Sequence, residues 1–457
     1  MSVSDTTPKP GDDSLLDVEK NAARDGVLTR PSLEMPKKAN SGAGLISRLT
    51  ARDGETYSVD YEKHPRWYRR LLEAGVEGNG VKAVFFTCLL NLLPIPTGLL
   101  ATLGYGMNFR DAALVILFFA LLTCIPPAFM GTGGMETGMR QLVQQDTRLG
   151  GRYLVVVPLL LNAATVTGFC LLSAVVGGQS LAALNPGSVS PSIGIVITCL
   201  VALAVSLLGF KAVHFWERWT WIPSLISLFI AVGCGGHNLR LQVDAPPATA
   251  SQVISYGCLI AGYFITFGGT SSDYTIYQNP AGVSKIRVFV CMYLSFLVSP
   301  VPLLILGAAV AGAVPNVPTW VPRFVSIFIT LAIMIPCAFK VAEEWEEGLT
   351  NFLSVIGYWA GCFDAVTILE LVAFRKMDYT TFDHAIWNVG RKLPLGVAAL
   401  GASICSMGLV VPGMAAPWYT GPIAKTTGDN EFEMGFAVMA LCYLLFRWIE
   451  IRVHGHL

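Results

Sequence analysis

Two apolar stretches of this chain are each interrupted by residues that disfavour a continuous helix. The first interruption, Pro94-Ile95-Pro96-Thr97-Gly98, lies inside the apolar stretch 81–107. The second, Phe267-Gly268-Gly269-Thr270-Ser271-Ser272, lies at the end of the stretch 252–267. Unpaired backbone groups are costly in hydrocarbon, so a broken helix survives in a membrane only where it lines a cavity. Two such helices in corresponding halves of a chain indicate a transporter's binding site.

At the first interruption, the residues are suited to binding a small polar ligand without covalent chemistry. Pro94 and Pro96 are expected to unwind the helix, because proline removes a backbone donor and clashes with the preceding turn. This would leave the Thr97 hydroxyl and the backbone around Gly98 available to a ligand. A simple kink is the alternative. We predict that Pro96, Thr97 and Gly98 contribute to a substrate site.

The second interruption offers similar groups. Gly268 and Gly269 allow backbone to approach a ligand closely, and Thr270 and Ser271 add hydroxyl groups. The exposed dipoles of two half-helices would contribute to binding. We predict that Gly268, Gly269 and Thr270 belong to the same substrate site.

Two carboxylates are candidates for carrying a coupled proton, because ionisable residues inside a membrane are commonly functional. Asp273 follows the second interruption; a helix cap or a surface salt bridge near Lys285 is its alternative role. Asp364 lies centrally in a later apolar span, where a helix-packing role is the alternative. Glu136 and Arg140, four residues apart, are expected to pair with each other.

The eleven cysteines and six histidines form no recognisable catalytic or metal motif. Each cysteine stands singly within or at the edge of an apolar span, and no histidine lies at a span centre. Neither a CxxC pair, nor a Ser/His/Asp arrangement, nor a phosphate loop occurs. We therefore expect no enzyme, no metal, no structural disulfide, and no cofactor besides a coupling cation.

The composition is that of a membrane protein. Of 457 residues, 53% are hydrophobic and 14% charged, whereas soluble proteins carry about 25% charged residues. The 31 basic and 31 acidic residues balance, which argues against nucleic-acid binding. Spans of about 20 apolar residues are recognisable at 81–107, 111–132, 153–183, 191–210, 219–236, 252–270, 286–314, 321–340, 350–374, 394–415 and 431–450.

These spans predict an all-α polytopic protein. Residues 1–62 are expected to form a disordered cytoplasmic tail, 63–450 the transmembrane domain, and 451–457 a short cytoplasmic tail. The basic loops place the N-terminus in the cytoplasm. The acidic segment 341–347 is interpreted as an external loop. The basic loops near residues 285 and 375 both indicate the cytoplasmic side, so an even number of crossings must lie between them. Three spans are recognisable there, which predicts that one crossing is missing near residue 316.

Short runs around several spans occur in a characteristic order. They are Phe109-Arg110-Asp111-Ala112, Val175-Val176-Gly177-Gly178-Gln179, Glu217-Arg218-Trp219-Thr220-Trp221-Ile222-Pro223, Ser272-Asp273-Tyr274-Thr275-Ile276-Tyr277, Asn351-Phe352-Leu353, Ile356-Gly357-Tyr358-Trp359 and Trp418-Tyr419-Thr420-Gly421-Pro422-Ile423-Ala424. Together they resemble the fungal purine-cytosine permeases of the nucleobase:cation symporter-1 family. The resemblance covers residues 65–457.

The resemblance implies a LeuT-like transporter with an inverted five-plus-five repeat and about twelve helices, where about eleven spans are recognisable here. It places a stacking aromatic at Phe267, and an aromatic with a polar partner at Phe169 and Ser173, where family members often carry Trp and Asn. Ordinary helix packing is the alternative for all three residues. Relative to the family pattern, helix eight, which contributes an Asn to the substrate site, is absent near residue 316.

What the resemblance implies is proton-coupled import of purine bases, cytosine or a related flat heterocycle across the plasma membrane by alternating access. The partners are then a small-molecule substrate and the lipid bilayer, with a homo-oligomer left open. The alternative is a non-transporting family member that acts as a sensor or partner, or has no activity. The sequence does not decide which base is preferred or whether the coupling cation is a proton or sodium.

Overall fold

The computed structural model describes residues 90–144, 156–184, 189–207, 210–276, 283–313, 339–382, 396–416 and 418–454. All of them belong to one compact unit. Outside the described residues lie the predicted N-terminal tail, the segment around residue 316 and most of the predicted span 321–340. The missing crossing therefore stays a prediction.

The described chain is almost entirely helical. Its helices are α1 (Pro94–Leu103), α2 (Phe109–Thr123), α3 (Ile125–Thr137), α4 (Val156–Leu184), α5 (Pro191–Leu207), α6 (Phe210–Gly235), α7 (Ala250–Ile265), α8 (Ser271–Thr275), α9 (Lys285–Val298), α10 (Pro300–Ala313), α11 (Phe339–Leu369), α12 (Val397–Gly413), α13 (Ala424–Thr427) and α14 (Glu431–His454). Short 3₁₀ helices lie at Asn238–Arg240, Thr266–Gly269 and Tyr379–Thr381, and a π-helical turn at Glu370–Phe374. Strands β1 (Ala415–Ala416) and β2 (Tyr419–Thr420) pair antiparallel.

Within the described residues, six helical stretches are long and apolar enough to cross a membrane. They are Phe109–Thr137, Val156–Ala182, Ala250–Gly269, Lys285–Ala313, Gly348–Phe374 and Glu431–Val453. Each coincides with a predicted span. Shorter apolar helices at Pro94–Leu103, Pro191–Ala204, Trp219–Ile230 and Val397–Gly413 correspond to four more.

Two predicted loops are helical instead. The acidic segment 341–347 lies in α11, which begins at Phe339, so its interpretation as a loop is wrong. The basic segment 211–218, expected between two spans, lies in α6, which begins at Phe210. Clustered charges interrupt hydropathy without breaking a helix, because glutamate, lysine and arginine are good helix formers.

Close backbone contacts at glycines hold the central helices together. A Cβ atom on Gly98 in α1 would overlap the Leu304 carbonyl of α10, and one on Gly307 would overlap the Ile95 carbonyl of α1. Helices α7 and α11 meet in the same way at Gly262 and Gly357. Such contacts need residues without side chains, and they fix α7 and α11 beside each other at the centre of the fold.

Candidate functional site

The proline-containing segment 94–98, predicted to be unwound, is helical. It forms the first turns of α1, with Pro94 at the first helical position. The expectation that these residues are unwound is therefore wrong. The described residues directly before them, 90–93, are the non-helical ones. A proline at a helix start removes only a donor that would be unpaired anyway, so Pro94 initiates the helix that it would break from inside.

The candidate residues of α1 are engaged in packing. The Thr97 side chain is fully buried, and its hydroxyl donates to the Leu93 carbonyl at 3.0 Å. The Thr97 carbonyl accepts from the Tyr256 hydroxyl of α7 at 3.4 Å. Pro96 is buried in the same turn, and Gly98 faces α10. The structure therefore joins the start of α1 to α7 through Tyr256.

The second interruption is present where the Gly-Gly pair predicts it. Helix α7 ends at Ile265, a 3₁₀ turn follows, and the short helix α8 begins at Ser271. The Phe267 carbonyl, freed from the α-helical ladder, accepts from the Thr270 backbone N–H at 3.1 Å and from the Ser271 hydroxyl at 2.7 Å. The Ser271 hydroxyl thus supplies a hydrogen bond to a carbonyl group that the break leaves outside the α-helical pattern. A break inside a membrane protein needs such substitute hydrogen bonds.

Phe169 and Phe267 lie in one aromatic cluster. Their ring centroids are 5.8 Å apart and their planes are inclined by 27°, a stacked arrangement. Phe352 of α11 meets Phe169 edge-on at 5.2 Å, and Phe296 of α9 lies 5.5 Å from Phe267. Tyr263 completes the cluster by edge contacts with both stacked rings. Four helices therefore contribute rings to one wall beside the break.

Ser173 lies one turn beyond Phe169 in α4, and its side chain is exposed. The described structure records no contact that ties it to the aromatic cluster. Its spacing of four residues from Phe169 nevertheless puts both side chains on the same side of α4.

Asp364 and Asn162 converge on the Gly-Gly pair. The carboxylate of Asp364 occupies the position of a Cβ on Gly268, and the Oδ1 atom of Asn162 lies 2.6 Å from that of a Cβ on Gly269. The relative exposures of Asp364 and Asn162 are 0% and 6%. Both Asp364 oxygens and the Asn162 Oδ1 lack a hydrogen-bond partner among the described residues. The glycines thus admit two polar side chains against the break.

Asp273 sits in α8 beyond the break, and its Oδ1 accepts from the Gln141 backbone N–H at 2.7 Å. Lys285 does not pair with it: its Nζ lies 3.4 Å from the Glu136 Oε2. Glu136 therefore forms an ion pair with Lys285 of α9 instead of the expected pair with Arg140. Helix α3 ends at Thr137, so the spacing of four residues no longer corresponds to one turn.

Comparison with known proteins identifies the family. A family model described as "Permease for cytosine/purines, uracil, thiamine, allantoin" matches residues 80–336. The chain belongs to this permease family. It is accordingly a multi-pass membrane transporter and not an enzyme.

Curated relatives match this permease over nearly all of its length. The purine-cytosine permease fcyB of Emericella nidulans is 26% identical, over 96% of this chain and 98% of the relative. The purine-cytosine permease FCY2 of Saccharomyces cerevisiae is 23% identical, over 93% and 96%. The vitamin B6 transporter TPN1 of Saccharomyces cerevisiae is 21% identical, over 92% and 93%.

A solved structure with a similar fold is Mhp1, a nucleobase-cation-symport-1 family transporter, in a closed conformation with bromovinylhydantoin bound. It aligns with a TM-score of 0.59 at 14% identity, over 82% of this chain and 92% of Mhp1. Its inward-facing conformation aligns with a TM-score of 0.57. The permease therefore has the LeuT-like inverted-repeat fold that the resemblance implied.

Sequence reasoning identified Asp364 of α11 as a candidate but missed the aromatic contacts of this helix at the site. Phe352 packs edge-on against Phe169, and its ring atoms Cδ2, Cε2 and Cζ fill the space beside Gly168 of α4. Two turns further along α11, the Trp359 indole N–H donates to the Thr165 hydroxyl at 3.1 Å. The sequence did contain a signal for this contact: the span that forms α4 carries small residues, and the span that forms α11 carries aromatic residues.

The second feature that was missed is a buried ion network behind the site. Glu370 accepts from Arg375 Nε at 3.2 Å, from Arg447 Nε and Nη2 at 3.1 Å, and from the Tyr443 hydroxyl at 2.9 Å. Arg447 also donates to Glu450 at 2.9 Å. Glu370 and Arg447 are 0% and 1% exposed. The network joins α11 to α14, so Glu370 has a structural role.

Proposed function

We propose that this permease imports a purine base, cytosine or a related flat heterocycle across the plasma membrane, together with a proton and by alternating access. In this proposal the N-terminus is cytoplasmic. The observation that carries it is the stacked pair of Phe169 and Phe267, which borders the broken segment of α7. Two of the relatives are named as purine-cytosine permeases, which supports the substrate class.

A flat heterocycle needs a ring to stack on and polar groups at its rim. Phe169 and Phe267 are proposed to supply the ring faces. Ser173 and Thr270 are proposed to supply hydroxyls, with the backbone at Gly268 and Gly269 as further hydrogen-bonding groups. Ser173 is exposed and Thr270 half-buried, so neither hydroxyl is enclosed by packing.

The first turns of α1 are proposed to form another side of the site. Their contribution would be to set the position and shape of the start of α1, where Pro96, Thr97 and Gly98 lie. The Thr97–Tyr256 contact supports this, because it joins α1 to α7. Asp273 and Asp364 are the proposed carriers of the proton.

Alternating access requires that substrate and proton bind one conformation better than another. The parts that would move together are α1 with α10, which pack through glycines. The break in α7 supplies a point where one half-helix can reorient relative to the other. Mhp1, with a similar fold, is known in closed and inward-facing conformations.

We also propose that the chain lacks helix eight of the family pattern. The alignment with fcyB runs over 520 positions, more than the 457 residues of this chain, so it contains gaps opposite this chain. The transcript sequence around codons 80 and 316 tests this. An additional exon there encoding an apolar, Asn-bearing segment is the expected result, and a continuous transcript would contradict a lost exon.

Uptake measurements test the transport proposal. Radiolabelled cytosine and hypoxanthine are supplied to a permease-deficient yeast that expresses this chain, with surface expression measured in parallel. Uptake above the empty-vector background, increasing as external pH falls, is expected. Good surface expression without uptake of either base would contradict the proposal and favour a non-transporting family member.

A further inference from the structure

The Gly268–Gly269 pair is contacted by oxygen atoms from two different helices. Asp364 comes from α11 and Asn162 from α4, and they reach consecutive residues of the 3₁₀ turn. Carboxylate and amide oxygens are hydrogen-bond acceptors. These oxygens are buried, reach adjacent residues of one turn, and have no hydrogen-bond donor among the described residues.

The surroundings make a bare carboxylate unfavourable at this place. Asp364 is fully buried, and no charged group is recorded against it among the described residues. The acid–base contacts recorded for α11 belong to Glu370, six residues further along the helix. A buried charge needs a counter-charge, a metal ion or a proton.

The space beside Asp364 limits the size of an occupant. The carboxylate lies directly against Gly268, so closely that a single Cβ atom there would overlap it. A flat heterocycle is much larger than a methyl group and cannot enter between them. A proton, or a monovalent metal ion that has shed its water, is small enough to bind at this place.

The other proposed proton carrier has a different environment. Asp273 already accepts the Gln141 backbone N–H at 2.7 Å, across the junction between α8 and the segment after α3. That hydrogen bond satisfies the ionised form of a carboxylate. Asp273 thus links α8 to the segment after α3. Of the two candidate carboxylates, Asp364 is the one without a hydrogen-bond partner among the described residues.

We infer that Asp364 and Asn162 together form the site of the coupling monovalent cation, with the Gly268–Gly269 break between them. This rests on the proposed transport function and extends it by adding Asn162 and choosing Asp364 over Asp273. A cation held here connects α4, the break in α7 and α11, beside the aromatic wall of Phe267. Cation binding thereby favours one packing of the break, and the substrate that stacks on Phe267 is coupled to it.

The test uses the full chain purified into proteoliposomes, with radiolabelled hypoxanthine. One assay measures accumulation driven by an imposed cation gradient, and the other measures substrate exchange without a gradient. External pH is varied at fixed choline and then sodium at fixed pH, which distinguishes the proton from sodium. The variants are Asp364→Asn, Asn162→Val and Asn162→Ser, and Asp244→Asn, at an exposed loop position, is the matched control.

Asp364→Asn is expected to abolish gradient-driven accumulation while exchange persists and no longer depends on the cation. Asn162→Val should raise the cation concentration for half-maximal accumulation at least tenfold, and Asn162→Ser, which keeps an oxygen, should raise it less. The Asp244→Asn control should match the parent chain. Asn162→Val changes no charge, so it carries the test alone if Asp364→Asn does not reach the membrane.

Cation dependence like that of the parent chain in the Asp364→Asn or Asn162→Val variant would overturn the inference and leave transport itself intact. Loss of coupling in Asp273→Asn with full coupling in Asp364→Asn would also overturn it. Absence of exchange in the parent chain is a separate result, because it contradicts the proposed function.

Discussion

Phe169 of α4 and Phe267 of the α7 break stack at 5.8 Å, nearly parallel. The contact joins the long helix α4 to the 3₁₀ turn between α7 and α8. Because Phe267 belongs to this turn, a change in the conformation of the break would change the position of its ring. Binding of a flat ring on Phe267 is therefore expected to depend on that conformation.

Removal of the Phe267 ring tests this surface. Base–aromatic stacking is worth about 1–3 kcal/mol by alanine substitution, so Phe267→Ala should raise the substrate concentration for half-maximal uptake tenfold or more. The measurement is radiolabelled uptake across a concentration series. Phe289→Ala is the control, because Phe289 stacks on Tyr293 at 5.9 Å outside the cluster. A change below twofold for Phe267→Ala would remove Phe267 from the site.

Gly98 is predicted to be intolerant of any side chain. A Cβ there meets the Leu304 backbone carbonyl, which cannot rotate away, so Gly98→Ala should force α1 and α10 apart. We expect at least a severalfold loss of surface expression. Gly408→Ala in α12 is the control, because nothing lies within 4 Å of its Cβ position, and alanine favours a helix by up to about 1 kcal/mol. Equal expression of the two variants would contradict the tight α1–α10 contact.

The Glu370 network predicts strong non-additivity. Arg447→Met leaves part of a buried carboxylate uncompensated and should destabilise the protein by about 3–5 kcal/mol. Glu370→Gln combined with Arg447→Met removes both charges and should recover much of that loss. Thermal unfolding in detergent is measured for the parent chain, the single variants Glu370→Gln and Arg447→Met, and the double variant. Additive effects would show that Glu370 and Arg447 do not act as a pair.

Asp429, in the segment between α13 and α14, predicts a pH-dependent stability. Burial raises the pKa of its carboxyl from 3.8 to about 7, with Glu433 adding to the rise and the Tyr358 hydroxyl opposing it. Because the folded-state pKa is raised, the stabilisation by Asp429 is fully present below pH 3.8 and is lost as pH rises through about 7.

As pH is raised from 4 to 8, the thermal unfolding midpoint of the parent chain should therefore decrease relative to the midpoint of Asp429→Asn. This variant keeps the oxygen that the Tyr358 hydroxyl donates to, and it does not titrate. A constant difference between the two midpoints over this pH range would contradict the raised pKa.

The sequence predicted the break in α7 because two consecutive glycines lower helix propensity wherever they occur. The expectation that residues 94–98 are unwound was wrong, because proline ends a helix from inside but begins one at its first position. Asn162 was missed because a single amide in an apolar helix has no periodicity that distinguishes it. Its importance comes from Asp364, two hundred residues away, and only the packing of α4, α7 and α11 brings them to one point.

In the proposed mechanism the break after α7 faces a chamber of ligand size. An electron cryo-microscopy structure of the full chain with saturating hypoxanthine tests it most directly. We predict a broken α7 and a flat ring at about 3.5–4 Å from the face of Phe267, the distance of ordinary ring contact. A continuous helix through residues 265–271 that faces lipid, with no density beside Phe267, would contradict the account.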